Sequence, residues 1–318
     1  MKKSYQYIIR SISFGLFILT GFSSCKKYLE EPPSKTTSLV VTTTDQLSAL
    51  LNNYTQFYAE GNRTAIYSTD DYELPKSLYD ARPATFSSMA TIQFMLWDIP
   101  YLPDDTREGF WSGEYKKIFY ANMALDYVDK VTGPDADKAA IKADAHLIRA
   151  YSYWELANTY CLPYTDANKN EAGLPIKLST SFEEPFVRQP LSKVYELIES
   201  DITEALKTTV PLQQGAQVRH WRASKAGVNG FAARYYLNRN NYAKAITHAN
   251  AALTEYSTLV DYNSEMRYGR GGVITIDAGT AQQQTVTIKF PYTHDNQVDF
   301  TDMLGWKEFL YFRMLNYE

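Results

Sequence analysis

At 318 residues, 45% hydrophobic and 21% charged, the chain has enough apolar surface to build a core, which excludes wholesale disorder. A net charge of −4 with a pI near 5.7 leaves no basic footprint for nucleic acid, and 15 glycines with 13 prolines exclude collagen-like or low-complexity architectures. The outlier is tyrosine: 26 copies within an aromatic share of 14%, so that rings fill the core, are displayed for binding, or both.

Residues 1–24 read as an export signal. Lys2, Lys3 and Arg10 supply positive charge, Ile12–Leu19 is a short apolar run, and the small residues Gly21, Ser23 and Ser24 lead to Cys25. The run falls well short of the roughly 20 apolar residues that cross a bilayer. Small residues immediately before a cysteine (LTGFSSC) resemble a bacterial lipoprotein processing site, at which Cys25 becomes the N-terminus and carries acyl chains; an ordinary secretory signal with an incidental cysteine is the alternative. Two or more acyl chains hold a protein stably on a membrane. Cys161 is then left without a disulfide partner and packs as a small apolar residue. Residues 25–43, with Pro32-Pro33 and mixed charges, suit a tether ahead of a single domain over 44–318.

In that domain, Thr44 is the expected cap of a helix with Leu47, Leu50, Leu51, Tyr54 and Tyr58 on its apolar face and Gly61 as its stop. Residues 62–113 keep no period, are broken by proline and glycine, and are rich in Tyr, Trp and Asp. Structureless segments of this length inside compact domains usually carry function. From 114 to 256 the pattern predicts helices in pairs. Tyr115, Ile118, Leu125 and Val128 mark one helix, ended by Thr132-Gly133-Pro134, and Ala143, Leu147, Ala150, Trp154, Ala157 and Cys161 form a continuous stripe on the next, stopped by Pro163. Ser192 is the expected cap of a third helix carrying Val194, Leu197, Ile198, Ile202, Ala205 and Leu206, with Pro211 beyond it. Ala226, Gly230, Ala233 and Leu237 then face Tyr242, Ala245, Ala249 and Ala252 across a tight turn at 238–241, the small residues allowing close approach. The expected class is all-α, built of tetratricopeptide-like helix hairpins with long irregular loops; a generic helical bundle is the alternative. In the irregular C-terminal segment 257–318, Gly271–Ile276 and Thr285–Phe290 are expected to pair as a small β-hairpin. The last residues, Tyr311–Glu318, are apolar and aromatic, which predicts that further sequence follows.

Four stretches in order resemble the SusD/RagB family of outer-membrane nutrient-binding lipoproteins: Cys25 followed by Tyr28–Pro33, then Trp111–Leu125, then Ala143–Leu156 with Leu162-Pro163, and finally Arg222–Ala226 through Ala233–Leu237 to Tyr242–Ile246. The resemblance implies a non-enzymatic protein anchored to the outer membrane and facing the cell surface. It would capture oligosaccharides and hand them to a TonB-dependent transporter, without a cofactor.

Sugar binding needs flat apolar ring faces for the C–H side of the sugar and carboxylates or amides for its hydroxyls. Asp71, Tyr72, Trp97, Asp98 and Tyr101 combine these within the irregular segment and are the expected ligand contacts; the alternative is that Trp97 and Tyr101 wedge the segment onto the helices. Asp70 and Tyr79-Asp80 repeat the pairing, while Tyr151, Trp154, Tyr235, Tyr236 and Tyr242 lie on helical stripes and are expected in the core. Adjacent acids such as Glu183-Glu184 point apart on an extended chain and make no glycosidase pair. The four histidines and two cysteines lack metal-ligand spacing. A protein-binding scaffold and a lipid-anchored glycoside hydrolase are the other readings.

Overall fold

The computed structural model describes residues 41–57 and 109–259, apart from 182 and 214–217, together with shorter pieces within 59–97 and 267–315. Helix α1 (Thr44–Leu51) opens with a capping box: the Thr43 side chain accepts from the Gln46 N–H, and Gln46 Oε1 accepts from the Thr43 N–H at 3.3 Å. The cap is therefore Thr43 and not Thr44. Thr44 is buried and donates its N–H to the Thr132 carbonyl at 2.9 Å. This contact needs Gly133, whose φ is +150° and where a Cβ would fall 2.1 Å from Thr44 Oγ1. Asn52 ends α1, so Tyr54 sits on a separate turn, α2 (Tyr54–Phe57); Tyr58 and Gly61 lie outside the described residues. Helix α3 (Lys76–Ala81) is a short exposed piece.

The helical layer follows. Helix α4 (Gly109–Tyr127) begins inside the stretch expected to be irregular, and its first turn buries Phe110. It packs against α5 (Asp135–Tyr160), whose stripe Ala143, Leu147, Ala150, Trp154 and Ala157 is buried throughout. A strand pair not evident in the sequence, β2 (Ala172–Pro175) antiparallel to β3 (Arg188–Pro190), leads into α6 (Leu191–Ala205), which packs on the other side of α5. Ser192 is not the cap. Pro190 is, without a side-chain bond, and the first N–H groups of α6 go instead to backbone carbonyls, Leu191 to Glu171 at 2.9 Å and Ser192 to Lys169 at 2.8 Å.

The last hairpin is α7 (Lys225–Asn238), capped by Ser224, and α8 (Tyr242–Glu255), capped by Asn241, joined through Asn240 in the left-handed region (φ 55°). The buried face of α7 is Val228, Phe231, Ala232 and Tyr235; Leu237 is exposed, contrary to expectation. The glycines of α7 do not serve α8. A Cβ on Gly227 would lie 2.6 Å from the Leu310 carbonyl, so the close approach is made by a segment from far downstream. Helix α8 packs through Ala245, Ala252 and His248, whose ring stacks on Tyr236 at 5.5 Å.

Two antiparallel strand pairs lie beyond, β5 (Gly272–Asp277) with β6 (Gln282–Val286), and β4 (Arg267–Tyr268) with β7 (Lys289–Phe290), so the expected hairpin forms with its second strand starting at Gln282. Strand β1 (Ala59–Glu60) pairs in parallel with β8 (Met314–Leu315). The fold is thus mainly helical, of tetratricopeptide-like hairpins, with a small antiparallel sheet near the C-terminus.

Three carboxylates are buried in this layer, each beside a cation. Asp144 accepts from Arg222 Nε at 2.7 Å and from the Ala223 N–H. Asp201 accepts from Arg149 at 2.7 and 2.8 Å and touches His146 Nδ1 at 2.7 Å. Glu114 pairs with Lys117 and, at 2.9 Å, with Arg313. Burial alone would raise the Glu114 pKa, but Lys117 and Arg313 outweigh it and hold the carboxyl below its ordinary 4.5. A depressed carboxyl adds stability above its unfolded-state pKa and loses it as pH falls through the folded value. Glu114→Gln removes the carboxylate that two buried cations share and should cost about 3–5 kcal/mol at neutral pH. In thermal melts, the gap to the wild type should begin to narrow as pH falls below about 4.5, where the unfolded chain protonates Glu114 first, and narrow further as pH falls through the depressed folded value.

Candidate functional site

Exposed rings, rather than buried charges, mark the surface that could hold a ligand. In the segment expected to bind, Gln93 is buried and the Leu96 N–H donates to the Ile92 carbonyl at 2.9 Å, while Leu96 and Trp97 are exposed. Trp97 is 72% exposed and has φ 59°, a left-handed backbone that costs a non-glycine residue about 1–2 kcal/mol. Sterics therefore disfavour this conformation while solvent receives a large ring. Most of the Trp97 indole faces solvent, where a wedge would be covered. Nearby in sequence, Asp70 is exposed, Tyr79 is 36% exposed, and Asp80 is bridged to Lys76 at 2.6 Å on α3. Of the other expected contacts, Asp71, Tyr72, Asp98 and Tyr101 lie outside the described residues, as does Cys25.

The remaining rings divide as the helical periods dictate, with one exception. Tyr151, Trp154, Tyr235 and Tyr236 are buried, Tyr151 5.4 Å and Trp154 5.7 Å from Phe231. Burial pushes the phenols of Tyr153 and Tyr235 far above the usual value, which holds them neutral. Tyr242 was expected in the core but is 59% exposed, since the first position of α8 faces away from α7. A second display of rings, not anticipated from the sequence, stands where α4 meets the connection between α5 and α6. There Phe186 lies 5.0 Å from Tyr115 and 6.2 Å from Trp111. The loop beneath Phe186 is stapled by Glu184, which accepts from the Leu178 and Ser179 N–H groups and the Ser179 hydroxyl and pairs with Lys177. Burial opposes ionisation of Glu184, but these partners outweigh it and hold the pKa below the ordinary value. The signal for this staple was present as Lys177 seven residues before Glu184, across the turn-forming run 179–181. Among the described residues, no group of three or more His, Cys, Asp or Glu is placed to hold a metal ion, and no helix is long and apolar enough to cross a membrane.

A frame of tetratricopeptide-like hairpins with rings displayed from its irregular segments defines a class of binding protein. The sequence profile described as "Starch-binding associating with outer membrane" (SusD-like) matches residues 27–237, and the chain belongs to that family. It is similar to a SusD superfamily protein from Bacteroides thetaiotaomicron (18% identity, TM-score 0.54, over 70% of this chain and 49% of the other). A sugar-binding protein from Bacteroides vulgatus matches similarly (18%, TM-score 0.55, 69% and 47%), as does a laminarin-binding SusD-like protein (17%, TM-score 0.51, 70% and 48%). The chain spans about half the length of these structures. No curated protein matches it in sequence.

Replacing Trp97 by glycine removes the steric cost of the left-handed backbone and sacrifices little buried surface. Trp97→Gly should therefore melt no lower than the wild type and be up to about 1 kcal/mol more stable, as read by thermal or denaturant unfolding.

Proposed function

We propose that the protein is a lipid-anchored glycan-binding protein of the outer membrane, which captures an oligosaccharide and passes it to a TonB-dependent transporter without cutting it. The observation that carries this reading is Trp97, an indole held in solvent on strained backbone within the irregular segment of a SusD-like frame. Its flat face suits the C–H side of a sugar ring, and Asp71, Tyr72, Asp98 and Tyr101 of the same segment, expected from the sequence as further contacts, would add acceptors and a second platform. The non-enzymatic part is supported by the buried carboxylates. Glu114, Asp144 and Asp201 are each tied to cations inside the helical layer; Asp144 lines a cavity of about 520 Å³, but it is held there by Arg222 and no second carboxylate among the described residues lines that cavity to flank a glycosidic bond with it. Membrane attachment falls to acyl chains on Cys25, with residues 25–43 as the tether and 1–24 removed.

Isothermal titration with β-1,3- and α-1,4-linked glucan oligosaccharides tests the binding. One of the two series should bind, and Trp97→Ala should weaken it by roughly 30-fold, the loss of about 2 kcal/mol expected of an exposed aromatic anchor. Chromatography of the same mixtures should show oligosaccharides of unchanged length. Heat that is absent for every glycan, or shortened products, would overturn the proposal. Separately, Cys25→Ala should abolish incorporation of labelled palmitate and release the protein from the membrane fraction.

A further inference from the structure

Between α4 and the loop that follows β2 lies a cavity of about 470 Å³, within the range of small-molecule sites. Its walls are the rings of Tyr115, Phe119 and Phe186. The polar groups around it are almost all consumed by one another. Asn122 accepts from Arg149 and donates to the Lys177 and Ser179 carbonyls. Lys177 donates to the Ser181 and Glu184 carbonyls, the Glu184 carboxylate is filled by the loop's own donors, and Thr180 donates to Asp126 at 3.2 Å. What remains is the ammonium of Lys116, exposed at the edge and without a hydrogen bond or ion pair among the described residues; even the Ser181 hydroxyl oxygen accepts from the Glu183 N–H at 3.2 Å.

That inventory selects a ligand. A sugar would strand its hydroxyls against ring faces, at a cost of about 1–3 kcal/mol for each unpaired group. An aromatic or short aliphatic body loses nothing there, and a single anionic head group finds a single free cation. We propose that this cavity binds an amphipathic carboxylate, its apolar body between Tyr115, Phe119 and Phe186 and its carboxylate at Lys116. The site lies on the helical frame and does not depend on the glycan reading.

Titration calorimetry with 3-phenylpropionate, and with 3-phenylpropanol as its uncharged counterpart, tests it on the full chain. The acid should bind the wild type. Lys116→Gln should weaken the acid about fivefold, the scale of one solvent-facing ion pair, and leave the alcohol unchanged. Phe186→Ala should weaken both ligands, and Trp97→Ala should alter neither. Phe186 is 54% exposed and Lys116 faces solvent, so both variants keep the core intact, which melting curves verify. No heat from the acid with the wild type, equal affinity across the wild type, Lys116→Gln and Phe186→Ala, or loss of binding in Trp97→Ala would each overturn the proposal.

Discussion

A carboxylate taken out of water must take a cation with it, and the helical layer is organised around that requirement. Helix α5 supplies Asp144 to Arg222 and Arg149 to Asp201, so one helix is tied both to α6 and to the segment that enters α7. Pairs of this kind add little net stability over apolar packing of the same volume. What they add here is placement. The bidentate grip of Arg149 on Asp201 and the Asn122 amide bound to the same guanidinium admit one relative position of α4, α5 and α6. Asn122 then reaches the carbonyls of 177 and 179, so the order of the layer is transmitted to the loop carrying Phe186.

The abundant tyrosines serve this layer in two ways. Tyr153 accepts the Lys177 N–H at 2.7 Å, and Tyr115 donates to the Pro175 carbonyl at 2.7 Å, so two ring-bearing helices satisfy backbone groups of β2 and its exit. Others sandwich cations. The Arg239 guanidinium sits 3.6 Å from the Tyr164 ring centre and 4.8 Å from that of Tyr195, joining the α7–α8 turn to α6. A core made this way is rigid at the positions from which loops depart, as a platform for displayed rings requires.

The helices were legible in the sequence because a 3.6-residue stripe such as Ala143 to Ala157 survives any tertiary context that buries one face. Their ends were not, because caps depend on partners brought from elsewhere. Ser192 loses its capping role to carbonyls at 169 and 171 that only the β2–β3 pairing delivers, and Thr43 displaces Thr44 through Gln46. Gly230 suggested close helix contact, correctly in kind but not in partner, since Leu310 arrives from 80 positions downstream. Of the candidate site, residue types could be read but not display. Nothing in the letters around Trp97 announces a left-handed backbone, and Glu184 looked like half of an idle acidic pair until Lys177 and two backbone N–H groups closed on it.

Arg313 makes its ion pair with a residue 199 positions earlier, and also reaches Ser152 and the Ile148 carbonyl. A chain exported N-terminus first presents α4 and α5 on the far side of the membrane before that guanidinium has emerged. Until then the pair can associate through its local contacts, but the slot between Glu114 and Ser152 has no occupant, and closing so long a loop is slow. The hairpins of this layer can therefore form early, while their latch waits for a residue 199 positions downstream.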